Sequence, residues 1–434
     1  MITKLIGIGA AGNKAAICAV KNNVVDMEDT LLINSTLKDI PYDYKGKVIE
    51  YSNSYGGCGK ERKISYNLCK NSIMDGTISV EEFLHIGEED EAELCIIVTS
   101  TEGGTGSGAT PLLARYIKET TGVNVHVFAF TGFEEDVRGM KNTIEFFQEL
   151  QDNFTVECVR LPKFLKECNN NKLKAEIEAD KLFCEKISVL MGTQIRDSEH
   201  NIDPTDLLKI ATVEGFMVIE TTQFDERIKN REQFRQAIID MIDNSKSLDL
   251  DEPSQTKMAV IMNINKNSTD YIDYNDILIE RFGVCFEKFE HIQDVSDMPQ
   301  FFSFISAGSK IPTVEIENIY NKYKASTERV NKTSDNFFDE IREKSFADDD
   351  SMFDIGSHQK TKPSKNRDSF FKTLEDPKHN VPKQSISEQK QTTNNIAHTE
   401  RNVERSKFNP QTKVNENSKF KNTKVKLASV EEEY

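Results

Sequence analysis

The chain has 434 residues, with 55 Lys and Arg against 72 Asp and Glu, and a net charge of −17. No stretch approaches the roughly eighteen apolar residues that a membrane span needs, and Met1–Gly9 runs straight into a strand and a glycine turn rather than a signal peptide. The eight cysteines show no CxxC spacing, and several sit in apolar runs. They read as reduced thiols of a cytoplasmic protein, not as disulfides or zinc ligands.

Composition changes along the chain. Residues 1 to 325 carry regular apolar runs, enough for two domain-sized cores. From Asn331 the runs stop, and between Gly356 and Val430 there are sixteen Lys or Arg against seven Asp or Glu. An acidic folded body carrying net −23 over Met1–Ile355 therefore precedes a basic tail with no hydrophobic period, which is expected to be disordered. Its densest basic patch, Lys419–Lys426, suits nucleic acid or an acidic surface, and equally a plain solubilising role.

Lys4–Ile8 reads as a strand, Gly9-Ala10-Ala11-Gly12-Asn13 as a turn, and Lys14–Lys21 as a helix. This is how nucleotide-binding α/β domains open, although a tight turn without a ligand explains the same residues. Thr30–Asn34 is a second strand, and its terminal Asn34 is placed to line a ligand crevice. Val48–Tyr51 is a third. Gly57-Cys58-Gly59-Lys60 then forms a glycine loop whose backbone N–H groups could sense a terminal phosphate, with Lys60, Arg62 and Lys63 as nearby cations.

Leu94–Val98 is a buried strand that leads into Gly103-Gly104-Thr105-Gly106-Ser107-Gly108 and a helix. Glycines let backbone N–H groups approach an anion closely, the hydroxyls add donors, and the helix offers its N-terminus to the same anion. After the strand Val123–Phe130, Glu135 suits a ribose diol, because a carboxylate only accepts; a solvated helix start explains it nearly as well. Phe154–Leu161 is a further strand. In the long helix Ala175–Gly192, Asp180 can accept from guanine N1 and N2, and Phe183 could cover a base face or simply pack in the core.

Asn201, Asp203 and Asp206 fall just before a helix, where Asp203 could equally act as a cap. Strands at Val213–Glu220, Lys257–Asn263, Cys285–Glu290 and Phe301–Ala307 follow, with helices at Glu226–Ile242, Tyr274–Phe282 and Glu315–Tyr323. They make a smaller α/β unit without a phosphate loop.

GGTGSG at Gly103–Gly108 resembles the signature glycine loop of tubulin and the bacterial division GTPase FtsZ. IGIGAAGN at Ile6–Asn13 resembles the FtsZ-type first loop, and NIDPTD at Asn201–Asp206 the catalytic synergy loop. GCGKERK at Gly57–Lys63 and the basic tail look most like TubZ, the plasmid and phage partition tubulins.

The resemblance implies an α/β tubulin/FtsZ-like architecture with four parts. These are a Rossmann-like GTP-binding domain at 1–174, a central helix and the approach to the synergy loop at 175–200, an activation domain at 201–325, and the tail at 326–434. It implies GTP, GDP and Mg2+ as ligands, the ion held mainly through the phosphates. It implies a head-to-tail homopolymer in which Asn201, Asp203 and Asp206 of one subunit complete the neighbour's site. Arg138 is a further nucleotide-binding candidate. The family pattern has an asparagine where this chain has Lys163, which could instead donate to guanine O6.

A DNA-binding centromere adaptor on the tail, with weak direct DNA contact by the tail, would make the filament a partition machine. The other readings are an FtsZ-like division ring, a phage spindle that centres DNA, and a non-hydrolysing nucleotide-binding protein. The ring reading is weakened by LASVEEEY, which lacks an apolar–proline–apolar peptide.

Overall fold

A computed structural model describes residues 1–326 except 53–55, 152, 194, 196–201, 225–227, 265–269 and 295–299. All of these fall in one unit, Met1–Pro377; the other unit, Lys378–Tyr434, lies outside the described residues.

The first half alternates strand and helix. It runs β1 (Thr3–Ile8), α1 (Gly9–Lys21), β2 (Thr30–Asn34), β3 (Lys47–Glu50), α2 (Arg62–Asp75), β4 (Leu94–Ser100), α3 (Thr105–Thr121), β5 (Asn124–Thr131), α4 (Val137–Leu150) and β6 (Thr155–Arg160). The long α5 (Lys172–Leu190) leads into α6 (Pro204–Ala211), β7 (Gly215–Phe224), α7 (Arg231–Asp243), β8 (Lys257–Ile264), α8 (Asn275–Phe282), β9 (Glu287–Asp294) and β10 (Gln300–Ser309). Residues 314–326 form the last described helix.

One ten-stranded sheet holds every strand named, in the order β3-β2-β1-β4-β5-β6-β7-β10-β8-β9. The first six strands are parallel and doubly wound, and β7 joins β6 in parallel from Thr155 opposite Gly215. β10 then runs antiparallel to both β7 and β8.

The central strands are covered on both faces, which is why they read as unbroken apolar runs. Successive side chains go to opposite faces. Ile6, Ile8 and Ile97 join the core beneath α3, α4, α7 and α8, whereas Leu5, Ile96 and Val98 join the core beneath α1, α5 and α6.

The chain winds outward in both directions from the β1–β4 pair, so this pair is the topological switch point. Ligands of open α/β sheets bind outside the C-terminal ends of the strands at such a point. The first residues of α1, expected as a turn, already belong to the helix. Gly9 reverses the chain at φ +74 and the helix starts there.

Candidate functional site

The loops after β1 and β4 meet at this point. A β-carbon on Gly9 would lie 3.2 Å from the Gly106 nitrogen, and one on Gly12 would lie 2.1 Å from the Val98 carbonyl oxygen. The N-termini of α1 and α3 therefore converge at backbone-contact distance, which side chains would prevent. Each presents first-turn N–H groups without intrahelical partners and the positive end of its dipole.

The loop before α2 closes over them. A β-carbon on Gly104 would sit 2.9 Å from both the Cys58 β-carbon and the Glu61 nitrogen. The Asn142 side chain on α4 donates to the Lys60 and Glu102 carbonyls, each at 3.0 Å, and so pins both loops together. Ser35 and Thr105 share a hydroxyl hydrogen bond of 3.0 Å.

A cavity of about 400 Å³ opens above these loops and extends over β5 and β6 to α5. Its glycine end is bordered by Gly9, Ala10, Ala11, Gly103, Gly104, Thr105, Gly106 and Lys60. Its far end is bordered by Phe133, Leu161, Ala179 and Asp180, with Glu135 at the edge. Lys60 pairs with Asp136, which also caps α4 by accepting from the Gly139 nitrogen at 2.7 Å. Burial alone would raise the Asp136 carboxyl, but the Lys60 bond and the Gly139 amide outweigh it and hold it below the usual range.

Two other carboxyls are pushed the opposite way. Burial raises Glu102 to about 7, against the Glu134 amide that it accepts at 3.0 Å. Burial likewise raises Asp180 to about 7, with Cys18 adding to the effect and Lys14 opposing it.

Several expected residues lie elsewhere. Asn13 is buried beneath the first loop, and Asn34 holds the Ser35 nitrogen and Asp39. Gly12, Gly57, Cys58, Gly59 and Gly108 do not border the cavity. The Ser107 hydroxyl donates to the Gly103 carbonyl. Arg138 pairs with Glu61 at 2.8 Å, and Arg62 lies buried under α3.

Phe183 is fully buried, edge-on to Phe128 at a centroid distance of 4.7 Å. Lys163 is bound by Asp249 at 2.8 Å and the Ser247 carbonyl at 2.7 Å, away from the cavity. Lys14, Glu102 and Phe133 were not expected at the cavity. Lys14 lies one turn after Ala10, a spacing the sequence offers; Phe133 follows the end of β5, where ligand-facing residues gather.

Asp203 caps α6 by accepting from the Asp206 nitrogen at 2.8 Å, and Asp206 pairs with Lys209 at 2.9 Å. Asn201 lies outside the described residues. These carboxylates are at the other end of the sheet from the cavity. α5 borders the cavity through Glu176, Ala179 and Asp180, and its remaining turns to Leu190 carry the chain a further ~15 Å at ~1.5 Å per residue. There Leu207 of α6 packs under Gly192, and β7 enters beside the start of β6. Among the described residues, no helix is long and apolar enough to cross a membrane.

The sequence pattern of the tubulin/FtsZ family GTPase domain matches residues 2–159. Cell division protein FtsZ 1 of Methanocaldococcus jannaschii is 23% identical over 252 residues, 57% of this chain and 65% of that protein. Tubulin-like protein TubZ of Clostridium botulinum C phage is 26% identical over 203 residues, 46% of this chain and 53% of that protein. The chain thus spans between half and two thirds of the length of these relatives.

A GTPγS-form protofilament structure of Bacillus thuringiensis serovar israelensis TubZ superposes with a TM-score of 0.63 at 15% identity, covering 77% of this chain and 94% of that one. CetZ and FtsZ structures match alongside TubZ, so the likeness does not single out TubZ. Residues 2–159 are thus similar to the GTPase domain of the tubulin/FtsZ family, and the described chain has a tubulin/FtsZ-like fold.

Proposed function

We infer that this chain is a GTP-hydrolysing filament protein whose subunits complete one another's active sites. The observation that carries this reading is the separation of parts. The glycine-loop cavity lies at the C-terminal ends of β1 and β4, and Asp203 and Asp206 lie at the opposite end of the sheet. One chain cannot bring them together, whereas a second copy stacked head to tail can.

The cavity fits a nucleoside triphosphate. First-turn N–H groups of α1 and α3 receive the phosphates, and Phe133 and Leu161 border the base end. Asp180, ionised, accepts from guanine N1 and N2. Six carboxylates border the cavity against Lys14 and Lys60, and both lysines are already paired. That donor set suits a phosphate chain that arrives with Mg2+, which offsets negative charge on the phosphate oxygens. Asp206, with Asp203 and Asn201, would hold a water in line with the neighbour's terminal phosphate while the loop N–H groups stabilise charge on the transferring group.

The biological role we propose is DNA partition of the TubZ kind. The basic tail would recruit a DNA-binding adaptor and add salt-dependent attraction to DNA. The glycine loop at Gly57–Lys63 and the similarity to a phage TubZ support it.

The test is phosphate release against protein concentration with GTP and Mg2+, read beside light scattering. Turnover that rises steeply above a threshold, together with scattering, is the expected result. Turnover proportional to protein without scattering would mean a self-contained nucleotidase.

A further inference from the structure

β6 and β7 run side by side only where Thr155–Glu157 meet Gly215–Met217. Beyond that point they part. Residues 246–248 take the place next to β6, where the Arg160 nitrogen donates to the Lys246 carbonyl at 2.8 Å and the Leu248 nitrogen to the Cys158 carbonyl at 3.1 Å. β7 continues to Phe224 with β10 along one edge. Among the described residues, no strand pairs with its other edge past Met217.

Lys186 fills the first part of this gap by donating to the Ile219 carbonyl. That carbonyl therefore points away from β10. In an antiparallel pair the N–H and C=O of a residue share one side, and the side alternates along the strand. Thr221 and Gln223 thus turn their backbone groups the same way as Ile219, and both residues border a cavity of about 870 Å³. An unpaired strand edge is a ready template for another strand.

The edge lies in a groove with α5 on one side and α7 on the other. Lys174, Glu178 and Lys181 of α5 border this groove, whereas Glu176, Ala179 and Asp180 border the glycine-loop cavity. One helix therefore has a cavity on each of two opposite faces. Leu182 of α5 and Met241 of α7 give the groove apolar surface.

Its charge is unbalanced. Glu178 pairs with Lys181 at 3.0 Å, Glu167 with Lys246, and Glu220 with Lys186 at 3.2 Å. This leaves Glu185 and Asp240, against Lys174 alone, without an ion pair among the described residues. Burial raises the Glu185 carboxyl, a cost that a cation placed beside it would offset.

We propose that this groove docks an extended, lysine-rich segment of a partner protein, which adds as a strand to the free edge of β7 between α5 and α7. Thr221 and Gln223 supply the main-chain hydrogen bonds, and alternate side chains of the segment go to the two walls, where Glu185 and Asp240 take the lysines. The free edge from Thr221 to Phe224 is roughly 13 Å long at ~3.3 Å per residue, enough to hold a short strand. This docking does not depend on the nucleotide reading.

The experiment follows the fluorescence anisotropy of a labelled Lys-Val-Lys-Val-Lys-Val-Lys peptide with the full chain. Saturable binding is expected, with Thr221 and Gln223 amides newly protected in hydrogen exchange. The same peptide N-methylated at alternate residues keeps its charge and loses its strand donors, so it should bind roughly tenfold more weakly. Glu185→Gln with Asp240→Asn should weaken the unmodified peptide about fivefold, and a peptide with Glu in place of Lys should not bind. Gln223→Pro removes one outward N–H and leaves the β10 bonds of Thr222 and Phe224, so it should also weaken binding.

No binding, equal binding of the N-methylated peptide, or binding without protection of Thr221 and Gln223 overturns the proposal. Binding that appears only when residues 327–434 are removed also overturns it, because the chain's own tail is then the occupant. Should Gln223→Pro not fold, the N-methylated peptide decides on the unsubstituted protein.

Discussion

Arg62 donates to the Ser107 carbonyl through Nη2 at 3.1 Å and Nε at 3.3 Å. Pro111 lies four residues after Ser107 inside α3 and has no N–H to give it, so the carbonyl lacks its helical partner. A side chain from the first residue of α2, just past the Gly57–Lys60 loop, replaces the missing donor and ties that segment to the Gly103–Gly108 loop. Arg62 also pairs with Glu145 at 3.1 Å and Glu149 at 3.0 Å on α4. Arg62→Ala should lower stability by about 2 kcal/mol, the scale of a buried charge-assisted bond. In Pro111→Ala the helix regains its own N–H, so Arg62→Ala should be milder there by about 1 kcal/mol. Urea unfolding of the four proteins in this cycle measures the coupling.

The single cation of another buried cluster is Lys186, fully buried on α5. It donates to Glu157 at 2.9 Å on β6, Glu220 at 3.2 Å on β7 and the Ser247 hydroxyl at 3.0 Å. This joins α5 to both halves of the sheet. Lys186→Met should destabilise the fold by about 3–5 kcal/mol, because two carboxyls stay buried without their cation. Adding Glu157→Gln should recover part of that loss, and urea midpoints report both effects.

How much of this was legible follows from what each residue needs. Strands such as Leu94–Ser100, buried on both faces, announce themselves as apolar runs, and glycines at a strand end announce a backbone approach. Phe183 is different. Ala175, Ala179 and Ile187 share its four-residue spacing and are all buried, so the spacing marks a core stripe and not a base platform. Lys60 depends on Asp136, 76 positions away, and Glu102 on the glycines at 132 and 139 against which it packs. Such partners are set by sheet order, which no local pattern states. Asp203 reads as a helix cap locally and is one; only its distance from the cavity adds a second meaning.

Glu102 gives the stability a pH dependence. Its carboxyl is raised from 4.5 to about 7 in the fold. Between those values the unfolded chain releases a proton that the folded chain keeps, so stability falls as pH rises through this window. Glu102→Gln should flatten the fall and stabilise the protein at pH 8 by about 2 kcal/mol, with little effect at pH 4. The glutamine oxygen can still accept from the Glu134 nitrogen. Thermal or urea unfolding at pH 4, 6 and 8 measures the difference.

Asp180 should set the choice of base. An aspartate accepts from both donors of guanine, and an asparagine offers only one acceptor beside its own N–H groups. Asp180→Asn should weaken GTP at least tenfold and leave ATP nearly unchanged, because a buried polar pairing discriminates strongly when one partner is altered. Competition against a fluorescent guanine nucleotide checks this. Because Asp180 sits at about 7, discrimination in the unsubstituted protein should improve from pH 6 to pH 8 as the carboxylate forms.

Asp206 offers the sharpest test of shared sites. Its side chain pairs only with the exposed Lys209 among the described contacts, so Asp206→Ala should scarcely alter folding. Asp203→Ala would in addition remove the α6 cap, at about 1 kcal/mol, and is the less clean probe. Asp206→Ala should bind GTP and assemble while turnover falls at least a hundredfold. A second variant, Ala11→Glu, places a like charge in the phosphate cradle and should fail to bind GTP while its own Asp206 stays intact. Each alone is inactive. Mixed, the first supplies loaded cavities and the second supplies carboxylates, so turnover should reappear in proportion to the contacts between unlike subunits. If each chain served its own cavity, the mixture would stay as inactive as its parts.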